Sequence, residues 1–326
     1  MRDWTKLLSA AALGAAILLQ APAQAANLQS EANVALQAGQ ADKALAMLRS
    51  LPPGEANSAQ AHNLRCRVLF TLEQWNAAAN ECQQAVNMEP NNSDYHMWLG
   101  RALGESADKA SFLSAYGLAK RAVAELQRAT QLDPHNAEAL ADLGEFYNSA
   151  PGIVGGGEDK AESVAKELDR VDPARAHELR AGIAMSNHDY GTAEREFKES
   201  IALSKDPAFQ WMRLASFYRK TKQWALMDNA VRAGFNAAER NKHSAVALFN
   251  GASVLIEANR DLDLARRMLE AYLASPVQTE EAPTFVAHVW LARLLAKSGD
   301  RSGAQQQRQA ALALANSYKP AQNLKF

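Results

Sequence analysis

The chain has 326 residues, 48 % of them apolar, and a formal net charge of −1. That apolar content can fill a large core and excludes wholesale disorder. The balanced charge, with no polybasic run, excludes a nucleic-acid partner and an anionic membrane surface, both of which demand a basic face.

Residues 1–25 read as an export signal. Arg2 and Lys6 give a positive start, Leu7–Leu19 is an apolar block, and Ala23-Gln24-Ala25 supplies a small-residue cleavage site. Cleavage is expected after Ala25. It removes Arg2, Asp3 and Lys6, which takes the net charge from −1 to −2. The block is short for a membrane span, which needs about 20 residues. No later run reaches that length, so residues 26–326 are expected to be exported to a bacterial periplasm without a membrane span.

From about Leu28 the chain repeats itself. Segments such as "QAGQADKALAML", "TLEQWNAAANEC", "MSNHDYGTAEREF" and "EANRDLDLARRML" each read as a helix end, a polar turn and a second helix. Aligned on a small or slim residue of the second helix, they place Ala44, Ala78, Ala122, Ala161, Ala193, Met227, Ala265 and Ala304 in register. The successive intervals are 34, 44, 39, 32, 34, 38 and 39 residues. Small residues let two antiparallel helices approach closely, and large residues three and four places away supply the ridges. Pro90, Pro134 and Pro173 end second helices, since proline cannot continue the hydrogen-bond ladder. Runs with period-two alternation are lacking, so no sheet is expected.

Trp211-x2-Leu214-Ala215-x2-Tyr218, Leu140-x2-Leu143-Gly144-x2-Tyr147 and His96-x2-Leu99-Gly100-x2-Leu103 follow the first-helix pattern of the tetratricopeptide repeat (TPR), and Ala193-x3-Phe197 the second-helix pattern. The chain resembles the TPR family over nearly all of residues 26–326. With "FLSAYGLAKR" and "APGIVGGG" it resembles secreted bacterial TPR proteins carrying insertions in the third and fourth hairpins. The resemblance implies an all-α, right-handed superhelical solenoid of about eight hairpins, with the terminal ones acting as caps. Its function would be to bind a protein or peptide on a concave face.

In this frame Cys66 lies at the close-approach position of a first helix and Cys82 one turn beyond Ala78 on its partner. Antiparallel packing sets them face to face, and an oxidising compartment favours a disulfide. The alternative is two buried thiols.

The insertions fall near residues 105–118 and 149–157. Phe112, Leu113 and Tyr116 form an apolar cluster where an ordinary repeat has a polar turn. It reads either as a helix extension packed on its neighbour or as a contact for another protein, including a second copy of the chain. Gly152 and Gly157 have the spacing of a phosphate-binding loop, but Glu158 and Asp159 follow where lysine and a hydroxyl residue are required. Two carboxylates at a helix start repel phosphate, so this loop reads as a joint between helices.

None of the seven histidines forms a pair at metal-binding helical spacing, and no nucleophile elbow or C-x-x-C is present. No catalytic residue, cofactor or metal is expected, and the alternatives to a binding adaptor are a self-assembling envelope protein and, behind it, a small-ligand carrier or enzyme using the inserted loops. By helical phase, the partner-binding groove is expected to comprise Asn63, Arg67 and Phe70, then Met97 and Arg101, then Glu145 and Asn148, then Met212 and Arg219. In some TPR domains lysine, asparagine and arginine hold a peptide's terminal carboxylate. Asn63, Arg67 and Arg101 resemble that clamp, although its lysine has no match. The competing expectation is that these arginines pair with nearby glutamates.

Overall fold

The computed structural model describes residues 27–326. The proposed leader, residues 1–25, and its cleavage site lie outside the described residues. Every regular element described is a helix, and sixteen of them pair into eight antiparallel hairpins. The first hairpin is α1 (residues 27–37) with α2 (Ala41–Arg49), followed by a short α3 (Pro53–Ala56). Then come α4 (Ala59–Thr71) with α5 (Trp75–Met88), and α6 (Ser93–Lys109) with α7 (Phe112–Leu132). The fourth and fifth are α8 (Ala137–Ser149) with α9 (Glu158–Val171), and α10 (Pro173–Ser186) with α11 (Tyr190–Leu203). Next are α12 (Ala208–Lys220) with α13 (Trp224–Arg240), and α14 (Ala245–Ala258) with α15 (Leu262–Ala274). The last is α16 (Thr284–Lys297) with α17 (Arg301–Leu314), closed by a short α18 (Lys319–Gln322). Among the described residues no helix is long and apolar enough to cross a membrane.

The eight aligned residues, Ala44 to Ala304, are all fully buried. Seven of the eight are alanine, where a larger side chain would force packed helices apart. A Cβ on Gly100 would stand 2.8 Å from the Leu126 side chain on the partner helix. One on Gly144 would stand 2.3 Å from Leu179 of the next hairpin. Local chemistry fixes the helix starts. Ser58, Asn92, Asn136 and Asp172 accept backbone N–H bonds at first-helix starts, and Asp189, Asp261 and Asp300 do so at second-helix starts. Five of the turns share a device. Gly39, Glu73, His188, Lys222 and Gly299 all have positive φ, and each lies five residues before the aligned residue of its hairpin. One left-handed residue there reverses the chain after the first helix.

The disulfide joins Cys66 of α4 to Cys82 of α5 with Cα atoms 5.2 Å apart, a normal separation for a bridge. It staples the second hairpin.

The third hairpin has long helices and the fourth a long connection. In the third, α6 and α7 lengthen into a projecting tip where Phe112 is 85 % and Leu113 84 % exposed, with Tyr116 also exposed. The cluster does not pack on its neighbour. In the fourth, a single 3-10 turn at Gly152–Val154 leads into the glycines. Gly155 has φ +111°, and a Cβ on Gly156 would lie 1.7 Å from the Ala150 carbonyl oxygen. Gly157 N–H donates to the Tyr147 carbonyl, and Lys160 Nζ donates to that of Gly155. Glycine is required here by a tight reversal of the backbone.

The ends of the array are not free caps. Leu36 and Leu48 of the first hairpin, Leu64 and Val68 of the second, Phe285 and Val289 of α16, Ala311 of α17 and Tyr318 share one buried cluster. Polar contacts seal the same junction. Thr284 Oγ1 donates to the Ala38 carbonyl at 3.0 Å, Asn316 N–H to Asp42 at 2.8 Å, and Tyr318 Oη to Glu73 at 2.8 Å. The eighth hairpin therefore packs on the first, and the array closes on itself.

A cleft of aromatic rings and carboxylates on the inner face

Closure gives the first helices a shared inner side. Between α4 and α6 on one flank and α14 and α16 on the other lies a cleft of about 520 Å³. Phe70, Trp75 and Trp98 line the near wall, Phe249 and Trp290 the far wall. Phe70 meets Trp75 and Trp98 edge-on, at ring-centroid distances of 4.9 and 5.4 Å. Phe249 and Trp290 stack at 4.2 Å. Trp98 and Trp290 occupy the same repeat position, two places after His96 and His288.

The connection between α15 and α16, residues 275–283, crosses this inner face. Its Glu280 carboxylate accepts a fork of hydrogen bonds from Arg67, with Nε 3.0 Å from Oε2 and Nη2 on Oε1. Gln37 Nε2 also donates to Glu280 at 2.9 Å. Arg101 is held in turn by Asp142, with Nε to Oδ2 at 2.5 Å, and by Glu138 at 3.1 Å. Both guanidiniums lie over the Trp98 ring, at 5.6 Å for Arg67 and 4.8 Å for Arg101. The arginines expected to clamp a guest carboxylate are thus already paired with carboxylates of the chain. A neighbouring cleft of about 530 Å³ between α8, α10, α12 and α14 shares Asp142 and Glu281 with the first.

Burial pushes the Asp142 carboxyl above its ordinary pKa despite Arg101. Glu281 is pushed up by desolvation and then by Glu138, although solvent still reaches its side chain. Glu105 is pushed up by desolvation and then by Asp108. Desolvation is the leading cause of each shift, and a neighbouring carboxylate adds to it.

Of the expected groove residues, Arg67, Phe70, Arg101, Glu145 and Asn148 reach this inner face. Asn63, Met97 and Met212 do not. They are buried, and Met212 fills the space over Gly234 and Gly251. Arg219 bonds Glu257 on α14 at 2.7 Å. In the third hairpin the inner face runs through Trp98, Arg101 and Glu105, so Trp98 rather than Met97 accompanies Arg101 in the cleft. Sequence reasoning also missed Trp75, Asp142, Phe249, Trp290, Glu280 and Glu281. The repeated His-x-Trp-Leu at residues 96–99 and 288–291 was a signal for Trp98 and Trp290.

The helical-repeat architecture has counterparts among solved structures. A thermophilic TPR protein from Thermus thermophilus, TTC0263, superposes with a TM-score of 0.50 at 18 % identity, covering 59 % of this chain and 98 % of its own. MamA aligns at 20 % identity over 50 % of this chain and 87 % of its own, with a TM-score of 0.40. In sequence, the chain is 25 % identical over 154 residues to superkiller complex protein 3 of Mus musculus. The match covers 46 % of this chain and spans only 9 % of that relative. No protein-family model matches. The chain shares the all-α helical-repeat fold of the Thermus thermophilus TPR protein.

Proposed function

We propose that this chain is a non-enzymatic scaffold of the bacterial cell envelope that holds a protein or peptide partner in its inner cleft. The observation that carries this reading is the convergence of five aromatic rings on one accessible cleft between hairpins distant in sequence. Aromatic side chains offer large, rigid contact area and dominate binding hot spots. The leader-like residues 1–25 and the Cys66–Cys82 bridge support an exported, oxidising location. A crosslinking pulldown from periplasm tests it, comparing wild type with Trp98→Ala and Trp75→Ala variants whose melting is unchanged. Loss of the captured partner in both variants is expected, and its full retention would refute the cleft as the binding surface.

The exposed Phe112 and Leu113 favour a second reading, self-association through the α6–α7 tip. Size-exclusion profiles of wild type and Phe112→Ser/Leu113→Ser at high concentration decide it. An identical monomer position for both removes this reading.

A further inference from the structure

The charge of the inner face differs from that of the whole. The chain is nearly neutral, yet the two connected clefts are lined by nine carboxylates and three guanidiniums. Those guanidiniums have internal partners. Arg101 is bound by Asp142 and Glu138, and Arg213 and Arg175 face Glu178 and Asp172. Glu105 and Glu281, which line the aromatic cleft, form no ion pair among the described residues. Two buried side-chain oxygens along the second cleft, Gln210 Oε1 and Thr279 Oγ1, find no hydrogen-bond partner among the described residues. The lining is therefore rich in negative charge and in free acceptors, and its own cations are committed.

The cleft also shows how it holds a cation. Arg67 and Arg101 each lie over the indole of Trp98 while a carboxylate grips the guanidinium. An aromatic face and an anion together are the two attractions a desolvated cation needs. Trp75 and Trp290 line the same cleft as Glu105 and Glu281, neither of which is held in an ion pair among the described residues, so both components are present there. A guest carboxylate would meet saturated arginines and uncompensated negative charge, so an acidic segment or a peptide C-terminus is the wrong occupant.

Resting on the cleft reading above, we propose that the occupant is a basic extended peptide segment whose lysine or arginine heads seat between the cleft's aromatic faces and Glu105 and Glu281. The second cleft, reached past Asp142 and Glu281, takes the continuation of the same segment.

Fluorescence anisotropy with labelled dodecapeptides tests this. One Gly/Ser/Pro series carries zero to four lysines, a second carries glutamate at those positions, and a third carries acetyl-lysine, which keeps the length and removes the charge. Affinity is expected to rise at least tenfold from no lysine to four, and to fall in 0.5 M NaCl. The glutamate and acetyl-lysine series are expected to stay at the level of the uncharged peptide. Glu105→Gln/Glu281→Gln is expected to weaken the four-lysine peptide at least fivefold, and Asp159→Asn/Glu167→Gln on the outer helix α9 to leave it unchanged. The proposal is overturned if glutamate peptides bind as tightly as lysine peptides. It is equally overturned if both double variants behave alike, or if no lysine peptide binds below 1 mM. If these peptides fail while Trp98→Ala still abolishes partner capture, the cleft reading survives and the cationic occupant falls. If Trp98→Ala leaves capture intact, the cleft reading itself falls.

Discussion

The junction between the first and eighth hairpins and the stack from the fifth to the seventh bury side chains equally well, by different means. In the stack, Phe197, Phe217, Met227, Met268 and Tyr272 form one apolar cluster between hairpins adjacent in sequence. At the junction the apolar cluster is smaller. It is bordered by directed polar contacts between residues more than 200 positions apart, such as Gln37 and Arg67 with Glu280. Local stacking needs only the right small and large residues in phase and can grow one hairpin at a time. The junction can form only after the whole array is in place, because its contacts close a very long loop. Directed bonds specify which surface meets which, where apolar burial alone would not.

Four perturbations break or sharpen this contrast. Gly39→Val should have the largest effect. Gly39 has φ +67°, and a Cβ would stand 2.3 Å from Thr284 Oγ1 and 2.6 Å from its backbone nitrogen. Strain and clash together should cost about 4 kcal/mol. Hydrogen exchange should show protection lost in α1, α2 and α16 while α12–α15 stay protected. Uniform loss would mean that junction and stack form one cooperative unit.

Replacing Cys66 and Cys82 by serine comes next. The bridge spans 16 residues, for which chain-entropy arguments give about 3 kcal/mol. Chemical denaturation of oxidised and reduced protein should show that loss, centred on α4 and α5.

A double-mutant cycle on Arg67→Ala and Glu280→Ala should return a coupling of about 1–2 kcal/mol, since the pair is forked and mostly buried. A coupling near zero would show that the junction is held by Phe285 and its apolar neighbours alone.

The smallest effect has the opposite sign. The Glu281 carboxyl has a folded-state pKa above its ordinary value. Its ionised form therefore costs stability at neutral pH, and this cost vanishes as pH falls through the raised pKa towards the ordinary carboxylate range. Glu281→Gln should raise Tm by about 1 °C at pH 7 and make no difference near pH 4. A loss of stability at pH 7 would show that Arg101 and Arg175 outweigh the desolvation.

This contrast also explains what could be read in the chain of letters. The hairpins, their number and the facing of Cys66 and Cys82 follow from periodic small residues and turn chemistry, which act between near neighbours, whereas the choice between bridge and free thiols does not. The length of the third and fourth hairpins was legible as excess spacing. The interval of 39 residues from Ala265 to Ala304 was visible too, but a number does not reveal that residues 275–283 cross the inner face. Closure was illegible because it depends on the accumulated rotation of eight hairpins, which no local pattern encodes. The candidate site was half legible for the same reason. Phe70 and Arg101 follow from helical phase, but Trp290 and Phe249 join them only because the far hairpins come round to face them.

A circuit of helices that meets its own beginning has a fixed tally. An open array can gain or lose a unit and merely grow longer or shorter. Here an added or missing pair would carry Thr284 past Gly39 and leave Phe285 without its pocket among Leu36, Leu64 and Val68. Changes in length are therefore confined to places that leave the circuit intact, and the long tip after Lys109 and the glycine turn after Ser149 are such places.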